Sequence, residues 1–292
     1  MKLLHILAVV VVVIWGYTFV TTKQLILGGL TPSQIMVYRF AIAYLCMLFT
    51  FVRPLFARTF KDELLAVGAG VMGGSLYFVA ENSALALSLT SNVAIIIASA
   101  PIFTQIASHF LLEGERMSRR MLTNSLFAFA GVILVVCNGQ LVLDVNPVGD
   151  ALALIASIAW ALYTVFIRKL DMRGYSTKFI TRKIFFYGVV TMLPIFAFIP
   201  FAPQDPAVLL TSQIYIPLLF LAVAASFFCF FAWGYIVEKL GATASAPYIY
   251  LVPVISLVSA ALVLDEPITP LALAGMALIL YGVVRGESKK CD

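Results

Sequence analysis

The sequence predicts an all-α polytopic membrane protein, with ten transmembrane helices arranged as two inverted five-helix repeats. Three observations carry this. Only 11% of residues are charged against 62% hydrophobic, where soluble domains carry roughly 25% charged residues, so the chain cannot dress a globule with a polar surface. The apolar residues fall into separate runs, each near the ~20 residues that cross a ~30 Å hydrocarbon core. Short groups of residues in the first half recur at matching places in the second.

Taken in order, the runs predict spans at 3–23, 34–53, 64–87, 91–112, 121–139, 148–168, 179–200, 213–236, 243–264 and 270–285. The first follows Lys2 like a signal peptide. It is too long for one, lacks a small-x-small cleavage site and leads straight into further spans, so it reads as a retained helix. The joints TPSQ (31–34), GERMSRR (114–120), NPVGD (146–150) and EPITP (266–270) combine helix breakers with capping residues. Asn92 is positioned to cap span 4. Pro101, Pro194, Pro247 and Pro253 fall inside spans, where each removes a backbone donor and bends its helix. Pro101 and Pro253 occupy matching places in spans 4 and 9 and are the candidate hinges.

The charges set the orientation. With the N-terminus in the cytoplasm, 17 of the 19 Lys and Arg residues fall on the cytoplasmic side. Only Lys23 falls outside, and Arg39 lies within a span. By the positive-inside rule both termini are cytoplasmic. The net charge of +5 resides in loops between spans, which points to lipid headgroups and insertion topology, not to nucleic acid. The loop charges of 168–183 read as topology determinants.

The halves, 1–142 and 143–292, hold five spans each, and an odd number inverts the second relative to the first. Trp15-Gly16-Tyr17-Thr18 in span 1 is echoed by Trp160-Ala161-Leu162-Tyr163-Thr164 in span 6, and Arg39 in span 2 by Arg182 in span 7. Pro101 to Glu115 parallels Pro253 to Glu266. Inverted repeats of this kind build secondary transporters with a substrate site near midplane. The WGYTF start at 15–19 and the proline-then-acidic spans 4 and 9 resemble the drug/metabolite transporter superfamily, specifically its EamA-type exporters. The resemblance covers essentially the whole chain. It implies export of small metabolites, amino acids or related compounds, across the bacterial inner membrane by alternating access. The second half departs from the first where FFAWGYI (230–236) holds no counterpart of Glu81.

Arg39 and Glu81 are the formal charges read as lying well inside spans. At 1.5 Å per residue both sit roughly 8–9 Å below the outer surface, close enough to pair. In one reading Arg39 binds a substrate carboxylate while Glu81 binds an amine or a coupling proton. In the other they form a static ion pair that pins spans 2 and 3. Trp15 and Trp160 fall near midplane, away from the headgroup belts that tryptophan prefers. With Tyr17 and Tyr163 beside them, they predict either a shared polar cavity or internally bonded packing residues. Tyr77, Tyr248 and Tyr250 are further lining candidates.

Gly68-Ala69-Gly70-Val71-Met72-Gly73 matches GxGxxG, yet it lies inside an apolar span and reads as small-residue helix packing. His109 is expected to make a polar interhelical contact. Cys46, Cys137 and Cys229 lie in apolar runs and Cys291 in the tail, with no ligand spacing, so no metal or other cofactor is implied. No HExxH, GxSxG or paired-carboxylate motif supports an enzyme. The expected partners are a small-molecule substrate and the lipid bilayer. The alternatives are a lipid flippase or scramblase, which needs a groove open sideways to lipid, and a membrane-embedded transferase, which needs a polar cluster at one interface.

Overall fold

The computed structural model describes residues 2–51, 54–88, 90–137, 146–197, 205–264 and 268–287. Ten helical rods follow one another in these segments, with no strand among the described residues. α1 is Lys2–Leu27 and α2 is Pro32–Thr50. α3 runs through Phe60–Gly70, a π-helical turn Val71–Ser75, and Leu76–Leu87. α4 comprises Thr90–Ile97 and Ala100–Leu111. α5 is Arg119–Cys137, α6 Pro147–Met172 and α7 Thr177–Val190. α8 follows a single turn, Pro206–Leu209, and joins Ser212–Leu219, a π-helical stretch Phe220–Phe228, and Cys229–Leu240. α9 is Ala242–Ser245, a 3-10 segment Ala246–Tyr250, and Leu251–Leu264, and α10 is Pro270–Glu287. Eight rods are long and apolar enough to cross a membrane, and α10 adds a shorter apolar helix.

The predicted joints work as local chemistry. At TPSQ, Thr31 and Gln34 form a reciprocal capping box, and Pro32 occupies the first turn, where its missing N–H costs nothing. At NPVGD, Asn146 accepts from the Gly149 N–H ahead of Pro147. The helix carrying Asn92 begins at Thr90, so Asn92 lies past the cap position, and its side chain is outside the described residues. The side chain of Lys23, the whole of Asp265 and Glu266, and Cys291 are outside them too.

Several boundaries differ from the sequence reading. α7 stops at Val190, where a single run to 200 was expected, because Pro194 cannot continue an α-helix and opens a 3-10 turn, Pro194–Ala197. The breaks in α4 and α9 also lie upstream of the candidate hinges. α4 opens at Ala98–Ser99, with Pro101 seated in the first turn of the next segment. α9 opens over 246–250 at Pro247, while Pro253 lies within the following helix. A proline is accommodated where a helix starts, so the irregular backbone precedes it.

The strongest interhelix pairings survive exchange of each helix with the one five places on. α3–α6 corresponds to α8–α1, α4–α6 to α9–α1, and α2–α8 to α7–α3, while α2–α7, α4–α9 and α5–α10 map onto themselves. The π-helical turns of α3 and α8 also occupy matching helices. Close backbone approach makes some of these contacts possible. A Cβ on Gly275 would stand 2.6 Å from the Gly131 carbonyl, so α5 and α10 touch there backbone to backbone. The Gly-rich stretch of α3 is likewise a packing surface. Gly73 abuts the Tyr163 ring of α6 and Gly74 abuts Gly188 of α7.

Candidate functional site

The centre of the bundle is an aromatic cluster drawn from both halves. Trp15 meets Trp160 edge-on at 5.5 Å, with Phe230 at 6.0 Å and Trp233 at 5.4 Å from Trp15. Trp160 also touches Tyr77 at 5.5 Å and Tyr163 at 5.1 Å. Tyr163 and Trp233 are fully buried, and the Tyr163 hydroxyl and Trp233 Nε1 have no hydrogen-bond partner among the described residues.

The π-helical stretch of α8 fixes two members of this centre. Its widened turn presents the Ala225 carbonyl to Trp15 Nε1 at 3.0 Å and the Ser226 hydroxyl to Arg39 Nε at 2.8 Å. π-turns inserted into α-helices recur at functional sites because they re-aim backbone and side-chain groups. Arg39 is 7% exposed, and its Cζ lies 5.3 Å from the Phe78 ring centroid. One turn on, the Tyr77 hydroxyl donates to Glu81 Oε1 at 3.2 Å. Arg39 and Glu81 attract each other electrostatically, yet the static ion pair, one of the two readings of the sequence, is not seen at contact among the described residues. Each charge instead holds a separate neutral partner. The Nη groups of Arg39 and Oε2 of Glu81 make no hydrogen bond among the described residues. Burying a charge without full compensation costs several kcal/mol, so this arrangement favours a ligand or a proton that completes it.

The structure therefore brings Trp15, Arg39, Tyr77, Glu81, Trp160 and Tyr163 into one neighbourhood. Three other candidates make different contacts, Tyr248 within the same core cluster. Tyr17 points away from the cluster, exposed on α1 against Phe220. Tyr248 is buried and bonded to His5 Nδ1. Tyr250 belongs to a separate apolar cluster with Val132 and Ile279 of α5 and α10. Ser226, Phe230, Trp233 and Phe78 are members that the sequence reading missed. Trp233 carried the same signal as Trp15 and Trp160, a tryptophan deep in a span.

Arg182, the repeat counterpart of Arg39, has a different role. It is buried and donates to the carbonyls of Phe51, Pro54 and Leu55, tying down the segment after α2. The basic stretch 168–183 is likewise not simply a set of solvated loop charges. Arg173 pairs with Asp62, Lys183 with Glu63, and Tyr175 donates to Asp62 at 2.9 Å. Asp62, Arg182 and Lys183 thus join Arg39 as buried charges, while Glu81 is half-buried. Arg168 bonds Glu115 at 2.8 Å, and Glu115 also accepts from the backbone N–H of Ala242 and Thr243 at the start of α9. Gly241 precedes them at φ +91°, where a side chain would be strained and would strike the Glu115 carboxylate. His109 is exposed and, among the described residues, contacts Met117 N and Phe110 of its own neighbourhood, with no interhelical contact there.

Comparison with known proteins matches this architecture. A family model described as the EamA-like transporter family matches residues 2–137 and 147–285. The chain is 28% identical over 290 residues to an "Uncharacterized transporter" of Archaeoglobus fulgidus, covering 98% of each chain. It is 28% identical to a "Probable amino-acid metabolite efflux pump" of Escherichia coli, covering 95% of this chain and 92% of that one. It is also 28% identical to a "Probable terminal-alkyne amino-acid exporter" of Streptantibioticus cattleyicolor, covering 94% and 90%. A solved crystal structure shares the fold at TM-score 0.78 and 18% identity, over 98% of this chain and 96% of that one. The two matched segments together span nearly all of the ten-helix bundle, and the chain belongs to the EamA-like transporter family.

Proposed function

We propose that this protein is a secondary exporter of small zwitterionic metabolites, amino acids or related compounds, working by alternating access in the cytoplasmic membrane. The observation that carries this reading is the Arg39–Glu81 arrangement. A buried Arg39 and a half-buried Glu81 attract each other without neutralising each other at contact. The Arg39 Nη pair is free to take a carboxylate in a bidentate fork. Glu81 can take the ammonium group or a coupling proton, and the aromatic cluster offers apolar walls for the rest of the molecule. Relatives named as amino-acid exporters support this substrate class.

The exchange-symmetric helix pairing supports two five-helix repeats, 1–142 and 143–292, with the broken helices α4 and α9 at matching places. The charge count supports cytoplasmic termini, and the proposed location is the inner membrane of a bacterial cell. The test is a comparison of metabolites in the medium of cells with and without the protein. An amino-acid-like compound should accumulate outside only when the protein is present. Identical media across a range of carbon and nitrogen sources would contradict export.

A further inference from the structure

A second polar cluster lies where α4, α5, α9 and α10 meet, on helices other than those that carry Arg39 and Glu81. Gln105 faces it from α4, Asn124 and Ser125 from α5, and Tyr250 from α9, and each is more than nine-tenths buried. Ser125 donates to Gln105 Oε1 at 3.1 Å. Gln105 Nε2 and Asn124 Nδ2 have no partner among the described residues. Gln105 and Asn124 line a small cavity of about 10 Å³, closed on the α9 side by Ala244 and Pro247.

A buried donor left unmet costs about 1–3 kcal/mol. Two amide groups on one cavity therefore call for a shared acceptor. None of the cavity's lining residues is charged, so an ion bound there would be uncompensated. The volume matches one water, which needs two to four polar partners. We infer that this cavity is a binding site for one resident water. The water accepts from Gln105 Nε2 and Asn124 Nδ2, and its two protons serve acceptors at the α9 break, where Pro247 brings no N–H to the preceding turn. It is an exchangeable partner between α4, α5 and the irregular backbone of α9.

X-ray hydroxyl-radical labelling of the full-length protein in lipid nanodiscs tests this, because radicals formed from a bound water oxidise the side chain beside it. Met121 lines the cavity, and exposed Met172 reports on bulk solvent. After rapid mixing with oxygen-18 water, Met121 should acquire the heavy label more slowly than Met172, because the water beside it is enclosed. The double variant Gln105→Leu/Asn124→Leu should lose most of the Met121 labelling and leave Met172 unchanged. Equal exchange rates at the two methionines, or unchanged Met121 labelling in the double variant, would overturn the site. Sodium-dependent protection of Met121 would also overturn it, by assigning a cation. If the double variant does not fold, the exchange comparison in the unmodified protein decides alone.

Discussion

Arg39 donates its Nε–H to Ser226 across the two halves of the protein at 2.8 Å, and makes no contact ion pair with Glu81. The bond holds the guanidinium plane, and in the proposed mechanism its forked Nη edge takes the substrate carboxylate. Ser226→Ala removes this support. A hydrogen bond to a charged group contributes about 1.5–3 kcal/mol. The half-saturation concentration for substrate should therefore rise about tenfold or more, with the maximal rate much less affected. Uptake into proteoliposomes at varied substrate concentration measures both quantities.

Glu115 joins the end of α4 to Arg168 of α6 and to the first N–H groups of α9. Its side chain is 10% exposed and that of Arg168 is 21% exposed. Glu115→Ala should lower stability by about 2–3 kcal/mol, somewhat below the cost of breaking a fully buried pair. Glu115→Gln keeps one oxygen, an acceptor for one of the two α9 N–H groups, and should lose less. Thermal unfolding in detergent ranks the three proteins, and equal melting temperatures would rule out this coupling.

The α5–α10 contact admits no side chain at its closest point. Gly275→Ala would place a Cβ 2.6 Å from the Gly131 carbonyl, and Gly131→Ala one 2.6 Å from the Gly275 carbonyl. Either change forces the helices apart, at about 1–3 kcal/mol for overpacking. Gly29→Ala is a useful contrast. Nothing lies within 4 Å of its Cβ position, and only the φ of +95° is strained. The yield of folded protein and its melting temperature should fall for the first two variants, and fall less for Gly29→Ala.

The ten runs, the capped joints at 31–34 and 146–150 and the small-residue face of α3 were legible because each rests on local composition. So was the meeting of Trp15 with Trp160, since depth along a helix follows from counting residues. Rotation about the helix axis did not follow. In lipid the outward and inward faces are both apolar, so no polar stripe marks the buried side. That is why Tyr17 was grouped with the cluster although it faces out, and why Tyr250 was grouped with it although it packs on α5 and α10. The π-turns at 71–75 and 220–228 were also hidden. An extra residue in a turn leaves the apolar run unchanged, and yet it delivers Ser226 and Ala225 to the centre.

In the proposed mechanism Glu81 is the coupling carboxylate beside an Arg39 poised for substrate. Glu81→Gln preserves the acceptor for the Tyr77 hydroxyl and removes the titratable group. The direct measurement is transport of a labelled neutral amino acid by proteoliposomes, with and without an imposed pH gradient. The native protein should accumulate substrate against its gradient when the pH difference is present. Glu81→Gln should still exchange substrate across the membrane, with a rate and an end point indifferent to that difference. Accumulation driven equally well by the pH gradient in both proteins would contradict the account.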